Sequence, residues 1–414
     1  MSTPETQLPL TGLPLRSAPA LDLLAGVKVL DLTTSVAGPY AGQLLADMGA
    51  TVVKVERPKT GDDARAWGPP FLHGESLWFM SVNRGKQSLT LDIAAPQGQD
   101  ILKKLVAQCD VVLLNLVARS QRKLGLDAAS LRQLNSRLIH VSLSGFGLRG
   151  SRADLPCYDL IAEGYSSVMD LTGEPDNGPQ KVGTPAADLL AGSDAAMAVL
   201  AALLRREREG KGCDIDISMV ESMSRFMTPK LMPYLGSGEL ARRAGGRDSV
   251  IAIYQVFEAA DGPMTLGLGN DAIWKRFWEA VGQPEVGADP AFASNAERRA
   301  RRDDIVKIIG ELLRTRPRAH WLELLGRARV PAGPIQQLDE VARDPALHES
   351  GFIYRTQGHD GDIPQVGLGI RFDGLTEGTG APPPKLGSHT EHILRTWLEC
   401  DAAQIDQLRT QQII

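Results

Sequence analysis

Asp188 is the residue of this 414-residue chain whose type and setting most invite chemistry. It follows the turn Gly183-Thr184-Pro185 and stands at the mouth of a long Ala/Leu helix expected within residues 181–209. Met197, Leu200, Leu203 and Leu204 recur there at helical spacing, so one face of that helix must be buried. A carboxylate near a buried helix start meets unpaired backbone N–H groups and the positive end of the helix dipole, which favour its ionised form and suit it to nucleophilic attack. The same position is also that of an ordinary capping aspartate. A second group is the cluster Arg242, Arg243 and Arg247 around Gly245-Gly246, which fits either a solvated loop or recognition of a carboxylate. Tyr158 is read as a packed aromatic or a ligand contact, and its neighbour Cys157 as cleft lining or packing.

The remaining titratable residues point away from metals and disulfides. His140 lies inside a predicted strand and reads as a satisfied core residue, while the other six histidines fall in loops or on helix surfaces. Cys109, Cys157, Cys213 and Cys400 are far apart with no C-x-x-C, so neither a zinc site nor a disulfide framework is expected. A reducing, cytoplasmic setting fits them. A net charge of −5 and a pI near 5.9 offer no electrostatic case for nucleic acid or an anionic membrane, and no uninterrupted apolar run approaches a membrane span. A small-molecule partner is expected.

The elements that must position these groups alternate between β-branched runs and helices, the pattern of a parallel sheet covered by helices. Strands are expected at 27–32, 51–56, 88–92, 110–115 and 137–144, with a further one at 214–220. Helices are expected at 39–48, 97–108, 128–135 and 158–171. In such a sheet ligands bind beyond the carboxyl ends of the strands, so Arg57, Asn115 and the Gly145 loop should share one edge. The domain plan is a loose N-terminal tail over 1–25, a large domain over 26–225, a linker over 226–247, a small α+β domain over 248–335 and a C-terminal segment over 336–414. Within the small domain, 250–257 and 264–268 read as strands around Asp261-Gly262, and a final helix is expected near 388–399.

Gly145-Phe146-Gly147-Leu148-Arg149-Gly150 satisfies G-x-G-x-x-G. It is followed by Ser151-Arg152-Ala153-Asp154-Leu155-Pro156 and not by an apolar helix start, so it reads as a structural turn rather than a dinucleotide site.

Val29-Leu30-Asp31-Leu32, Ala37-Gly38-Pro39, Val53-Lys54-Val55-Glu56-Arg57-Pro58, Asn83-Arg84-Gly85-Lys86, Ser144-Gly145-Phe146-Gly147 and residues 183–192 together resemble the family III CoA-transferases, which include formyl-CoA transferase, carnitine CoA-transferase and α-methylacyl-CoA racemase. The resemblance is strong over 26–221 and weaker to Leu386-Gly387. It implies a Rossmann-like large domain, a smaller α+β domain, a C-terminal segment returning to the large one, and an interlocked homodimer. It also implies that Asp188 is the nucleophile and that CoA contacts fall on Arg57, Leu91, Asn115 and Lys123, with Tyr158 beside them. Arg57 and Lys123 suit phosphates, and Leu91 and Asn115 suit adenine and ribose.

The expected reaction moves CoA from a succinyl-CoA-like donor to a free acid, with Arg242, Arg243 and Arg247 selecting a C4 or C5 dicarboxylate. CoA thioesters are then substrates, and no permanently bound cofactor or metal is expected. The donors for the oxyanion would be backbone N–H groups near Asp188 or in the Gly267/Gly269 loop. Two alternatives remain: an α-methylacyl-CoA racemase and a non-catalytic acyl-CoA-binding protein. Racemases of this kind place a histidine where Tyr158 stands, and a phenol, with a reference pKa of about 10, is a poor base at neutral pH.

Overall fold

The computed structural model describes residues 9–16, 21–374 and 381–414. The chain divides into two compact units: the first takes residues up to 167 with 182–228 and 342–414, and the second takes 168–181 and 229–341.

The first unit is built on β1 (Lys28–Asp31), β2 (Thr51–Glu56), β3 (Gln87–Thr90), β4 (Val111–Leu114), β5 (Ile139–Ser144) and β6 (Cys213–Ser218). Their order is β3-β2-β1-β4-β5-β6 and every pairing is parallel, with Leu30 of β1 opposite Val53 on one side and Val112 on the other. Val-Val-Leu-Leu of β4 is buried throughout, as a strand covered on both faces must be. The chain runs outward from β1 to β3, then crosses back to start again at β4. Loops leaving β1 and β4 therefore diverge and open a crevice at the carboxyl edge, where doubly wound sheets bind ligands.

Two helices close on that crevice. Ala37–Asp47 follows β1 and Ala186–Glu209 precedes β6. They meet at Gly192, where a Cβ would lie 2.6 Å from the Ala37 carbonyl oxygen and 3.1 Å from the Tyr40 ring. Only a residue without a side chain permits this approach, and it sets the opening turn of the long helix beside the β1 loop. The long helix has the length and composition to cross a membrane. Its small residues Ala187, Ala191, Ala195 and Val199 are nevertheless buried in one stripe, as in the core helix of an α/β layer.

The core on the β3 side of the sheet includes Leu30, Val53, Leu89 and Val112, and it is completed from the far end of the chain by Ile393, Leu394, Trp397, Ile405 and Ile413. The final helix expected near 388–399 spans Thr390–Leu398, and a further one, Ala402–Thr410, follows it. That last helix is mostly polar, so periodicity passed over it. Its start is nonetheless written as a capping box, Asp401 with Gln404.

In the second unit β7 (Tyr254–Ala259), β8 (Gly262–Gly267) and β9 (Ala332–Pro334) form an antiparallel sheet in the order β9-β8-β7 over a core of Trp274, Phe277, Trp278, Ile305 and Ile309. Residues 332–334 pair as a short edge strand whose proline an edge tolerates.

Three expectations are corrected. The helix expected over 158–171 is two, Asp159–Tyr165 and Val168–Leu171, broken where Ser167 takes a φ of 72°. The linker over 226–247 contains the helix Thr228–Ser237. Part of the supposed loose tail is anchored: the Arg355 Nε donates to the Leu13 carbonyl at 2.9 Å, the Arg355 N–H to Pro14 at 2.9 Å, and Leu13 is buried. Residues 1–8 and 17–20 of that tail lie outside the described residues. The C-terminal segment carries a two-stranded hairpin, β10 (Ile353–Gln357) with β11 (Asp362–Val366).

Candidate active site

Asp188 lies in the first turn of the Ala186–Glu209 helix, and the helix has no side-chain cap at its own N-cap, Pro185. The cap comes from elsewhere. Oδ1 of Asp159, itself the first residue of a helix, accepts from the N–H groups of Ala187 at 2.9 Å and Asp188 at 3.3 Å. The capping role open to Asp188 in the sequence is thus filled by Asp159, and among the described residues the Asp188 carboxylate accepts no hydrogen bond. Burial, together with the negative charge of Asp159, pushes Asp188 up from 3.8 to about 7. That corrects the expectation of a firmly ionised side chain: the helix dipole is outweighed by lost hydration and a like charge. A carboxyl poised near neutrality and without partners is a candidate nucleophile or proton-transfer group.

It opens into a cavity of about 90 Å³ at the crevice, lined among others by Thr34, Ser35, Asn115, Ser144, Cys157 and Tyr158. Asn115 fastens the two diverging loops together: its Oδ1 accepts from Thr34 N–H at 3.2 Å and its Nδ2 donates to the Thr34 carbonyl at 2.8 Å. Ser35 is held in the left-handed region, φ 72°, with its N–H donating to Asp62 Oδ1 at 3.0 Å. Strain of this kind persists only where the surroundings enforce it. Gly145 ends the wall from the β5 side: a Cβ there would fall 2.0 Å from the Cys157 Cβ, so glycine lets the Cys157-Tyr158 segment lie against the strand end. Burial, Asp188 and Asp159 push the Cys157 thiol up to about 11, so it stays protonated beside the carboxyl and does not compete as a nucleophile.

Behind this wall is an ionic network that sequence reasoning missed. Lys86 Nζ donates to Asp31 Oδ2 at 2.8 Å, Pro39 O at 2.7 Å and Asn83 Oδ1 at 2.8 Å. Lys54 Nζ pairs with Asp62 at 2.8 Å and donates to the Thr33 carbonyl at 2.8 Å. All four charged side chains of these pairs are fully buried. Burial alone would raise Asp31, but Lys86 and Lys54 hold it at about 2, while burial brings Lys86 down to about 8 despite Asp31. The network fixes the β1 loop through Thr33 and, by way of Asp62, through Ser35. Its signal was present as charges written into buried strand positions, Asp31 and Lys54, where charge is not tolerated without a partner.

The other residues named from the sequence are scattered. Arg57 is exposed in the loop after β2, its Nε donating to Gly61 O at 3.1 Å and its guanidinium pairing with Asp63. Lys123 is exposed in the last turn of Ala118–Leu124. The Leu91 side chain is 1% exposed within the core, which leaves only its main chain to face a ligand. Asn115 is in the cavity, but its amide is engaged by Thr34. Tyr158 is 68% exposed and lines the cavity, which corrects the packed-aromatic reading.

The arginine cluster is split. Arg242 is exposed, and Arg243 approaches Asp170 at 3.9 Å. Arg247 lines a cavity of about 560 Å³ within the second unit, with Tyr254, Gln255 and Thr265. Arg302, lowered by burial and then by the charge of Arg247, is its cationic neighbour and had no sequence signal. The rejected glycine motif is a turn: the Leu148 N–H donates to Asp216 at 2.9 Å, and no helix begins there. His140 is satisfied in the core by Asp214 at 3.0 Å and Leu126 O at 2.9 Å.

A doubly wound sheet with an uncapped carboxyl at its switch point defines the class, and sequence comparison agrees: residues 24–390 match the model of CoA-transferase family III, and the chain belongs to that family. Among curated relatives it is 38% identical over 393 residues to the succinate–glutarate CoA-transferase of Agrobacterium fabrum, covering 93% of this chain and 97% of that one. It is 36% identical over 361 residues to the acetyl-CoA:oxalate CoA-transferase of Acetobacter aceti, covering 86% and 92%. A solved structure of a CAIB/BAIF family protein from Brucella suis superposes with a TM-score of 0.80 at 37% identity, covering 90% of this chain and 99% of that one.

Proposed function

We propose that this enzyme moves CoA from a succinyl-CoA-type donor to a small dicarboxylic acid by way of Asp188. An ionised Asp188 oxygen adds to the thioester carbon, the carbonyl pair moves onto oxygen, and collapse expels CoA thiolate to leave an aspartyl acyl anhydride. The thiolate then attacks the Asp188 carbonyl of that anhydride, forming an aspartyl-CoA thioester and freeing the donor acid. The incoming carboxylate attacks the aspartyl-CoA thioester and expels CoA thiolate, giving a second anhydride. The thiolate then attacks the acyl carbonyl of that anhydride, forming the new acyl-CoA and releasing the Asp188 carboxylate. Only a carboxyl can alternate between anhydride and thioester without losing the group-transfer potential to water. The observation that carries the reading is the Asp188 carboxyl, uncapped and near neutrality in the crevice cavity.

The relatives named for glutarate and oxalate support a diacid acceptor. Arg247, with Arg302 beside it, is the guanidinium assigned here to the second carboxylate. Exposed Arg57 and Lys123 are assigned to the CoA phosphates. The working unit is taken to be a homodimer, for which Leu160, Ile161, Tyr165, Met197, Leu204 and Phe226, all more than 40% exposed on the first unit, offer apolar contact surface. Its place is the cytoplasm, where the four free cysteines stay reduced. Isotope exchange between succinyl-CoA and labelled diacids tests the transfer, and hydroxylamine trapping with mass spectrometry tests the intermediate. A peptide containing Asp188 left unmodified during turnover would overturn the covalent route.

A further inference from the structure

Ser144 is the last residue of β5 and is 7% exposed, yet its Oγ finds no hydrogen-bond partner among the described residues. Its neighbours are not left so. Ser142, two residues back, receives Gln121 Nε2 at 3.0 Å on its Oγ, and Ser218, directly across on β6, donates its Oγ to the Gly145 carbonyl at 3.2 Å. A buried hydroxyl without a partner costs stability, and polar groups inside proteins are nearly always paired. Among the buried side-chain atoms left without a partner, Ser144 Oγ is a hydroxyl, and it lies at the Asp188 cavity, which Ser144 lines. Two other polar groups of that lining are committed, the Asn115 amide to Thr34 and the Cys157 thiol to the Tyr158 carbonyl at 3.5 Å.

Position and chemistry then specify a role. The Ser144 backbone is locked by parallel pairing with Ser218, so only χ1 and the rotation about Cβ–Oγ remain to aim the hydroxyl. Attack by Asp188 on a thioester turns a neutral carbonyl oxygen into an oxyanion, and a buried donor with no competing partner is worth most to an oxygen whose charge is developing. We propose that Ser144 is a catalytic residue that donates its O–H to the acyl oxygen while Asp188 attacks, and keeps its proton throughout. The carbonyl pair that moves onto oxygen returns when CoA thiolate leaves, so the serine is never acylated.

This proposal rests on the aspartyl route, and the test separates the two. Ser144→Ala, Ser144→Thr and Asp188→Asn are compared in the same succinyl-CoA exchange assay, with thermal midpoints recorded for each. Ser144→Ala is expected to lower kcat by roughly a hundredfold, to leave the KM for acyl-CoA within about twofold, and to melt at or above the parent temperature, because it removes an unmet hydroxyl. Ser144→Thr, which keeps a hydroxyl, recovers part of kcat. Turnover of Ser144→Ala within about twofold of the parent overturns the proposal, as does a lowered midpoint, the mark of a merely structural serine. Exchange by Asp188→Asn at the parent rate sinks the aspartyl route itself, whatever Ser144→Ala does.

Discussion

Replacing Asp188 by Asn should make the protein more stable and inactive, with a pH dependence that reports why. The folded state holds this carboxyl at about 7 against 3.8 for the free side chain. Below 3.8 the group is protonated in both folded and unfolded chains and contributes nothing. Between the two values the unfolded chain releases its proton while the folded one keeps it, so stability falls as pH rises, and above 7 the full penalty rests on the folded state. The difference corresponds to about 4 kcal/mol as a ceiling, which partial contact with solvent reduces to roughly 1–2 kcal/mol. Asn removes that penalty and keeps the shape. Urea unfolding should therefore show Asp188→Asn stabilised by roughly 1–2 kcal/mol at pH 8 and by only about a third of that at pH 5, with exchange lost at both. Stabilisation equal at the two pH values, or a less stable variant at pH 8, would refute the claim that a dehydrated, like-charge-opposed carboxyl lies at the centre of the site.

Asp159→Asn keeps an oxygen to cap Ala187 but deletes the charge that repels Asp188, so the rising limb of the pH profile of kcat/KM should move to lower pH; an unmoved limb would assign the elevated value to burial alone. Arg247→Ala should raise the acceptor KM for diacids and leave monoacids unaffected, measured as initial exchange rates against a panel of acids. Asp31→Asn strands the buried Lys86 and should cost about 3–5 kcal/mol in urea unfolding, whereas Asp63→Asn removes only the exposed pair with Arg57 and should cost no more than about 1 kcal/mol.

Much of the frame was legible because its signals are local. β-branched runs located the sheet strands, and the turn before the long helix marked Asp188. The face of that helix expected to be buried is corrected: of Met197, Leu200, Leu203 and Leu204 only Leu203 is buried, and Met197 and Leu204 are exposed. The small residues Ala187, Ala191, Ala195 and Val199 face the core instead. What escaped depends on residues far apart in sequence. Asp159 caps a helix that begins 27 positions later, which no spacing rule announces. Lys86 and Asp31 answer each other across 55 positions, so two buried charges looked like ordinary motif letters until the strands were ordered. For Leu91 a resemblance carries over a position and not the direction of its side chain, which is buried in the core. The cap Asp401 was readable on its own terms, yet a polar helix without an apolar stripe escapes a search for periodicity.

The return of the chain's end to the first sheet bears on how the molecule is made. The Asp92 N–H donates to the Ile413 carbonyl at 2.8 Å, and Ile393, Leu394 and Trp397 fill the interior that β1 to β4 began. Everything that lines the crevice cavity has been translated by residue 220, but the helices that complete the core of the sheet emerge only after the whole of 229–341 has left the ribosome. The inserted unit can thus settle while its host still waits, half-covered, for its last two helices. A stop codon removing those helices would leave every reacting group in the sequence and deprive the floor beneath them of its apolar cover.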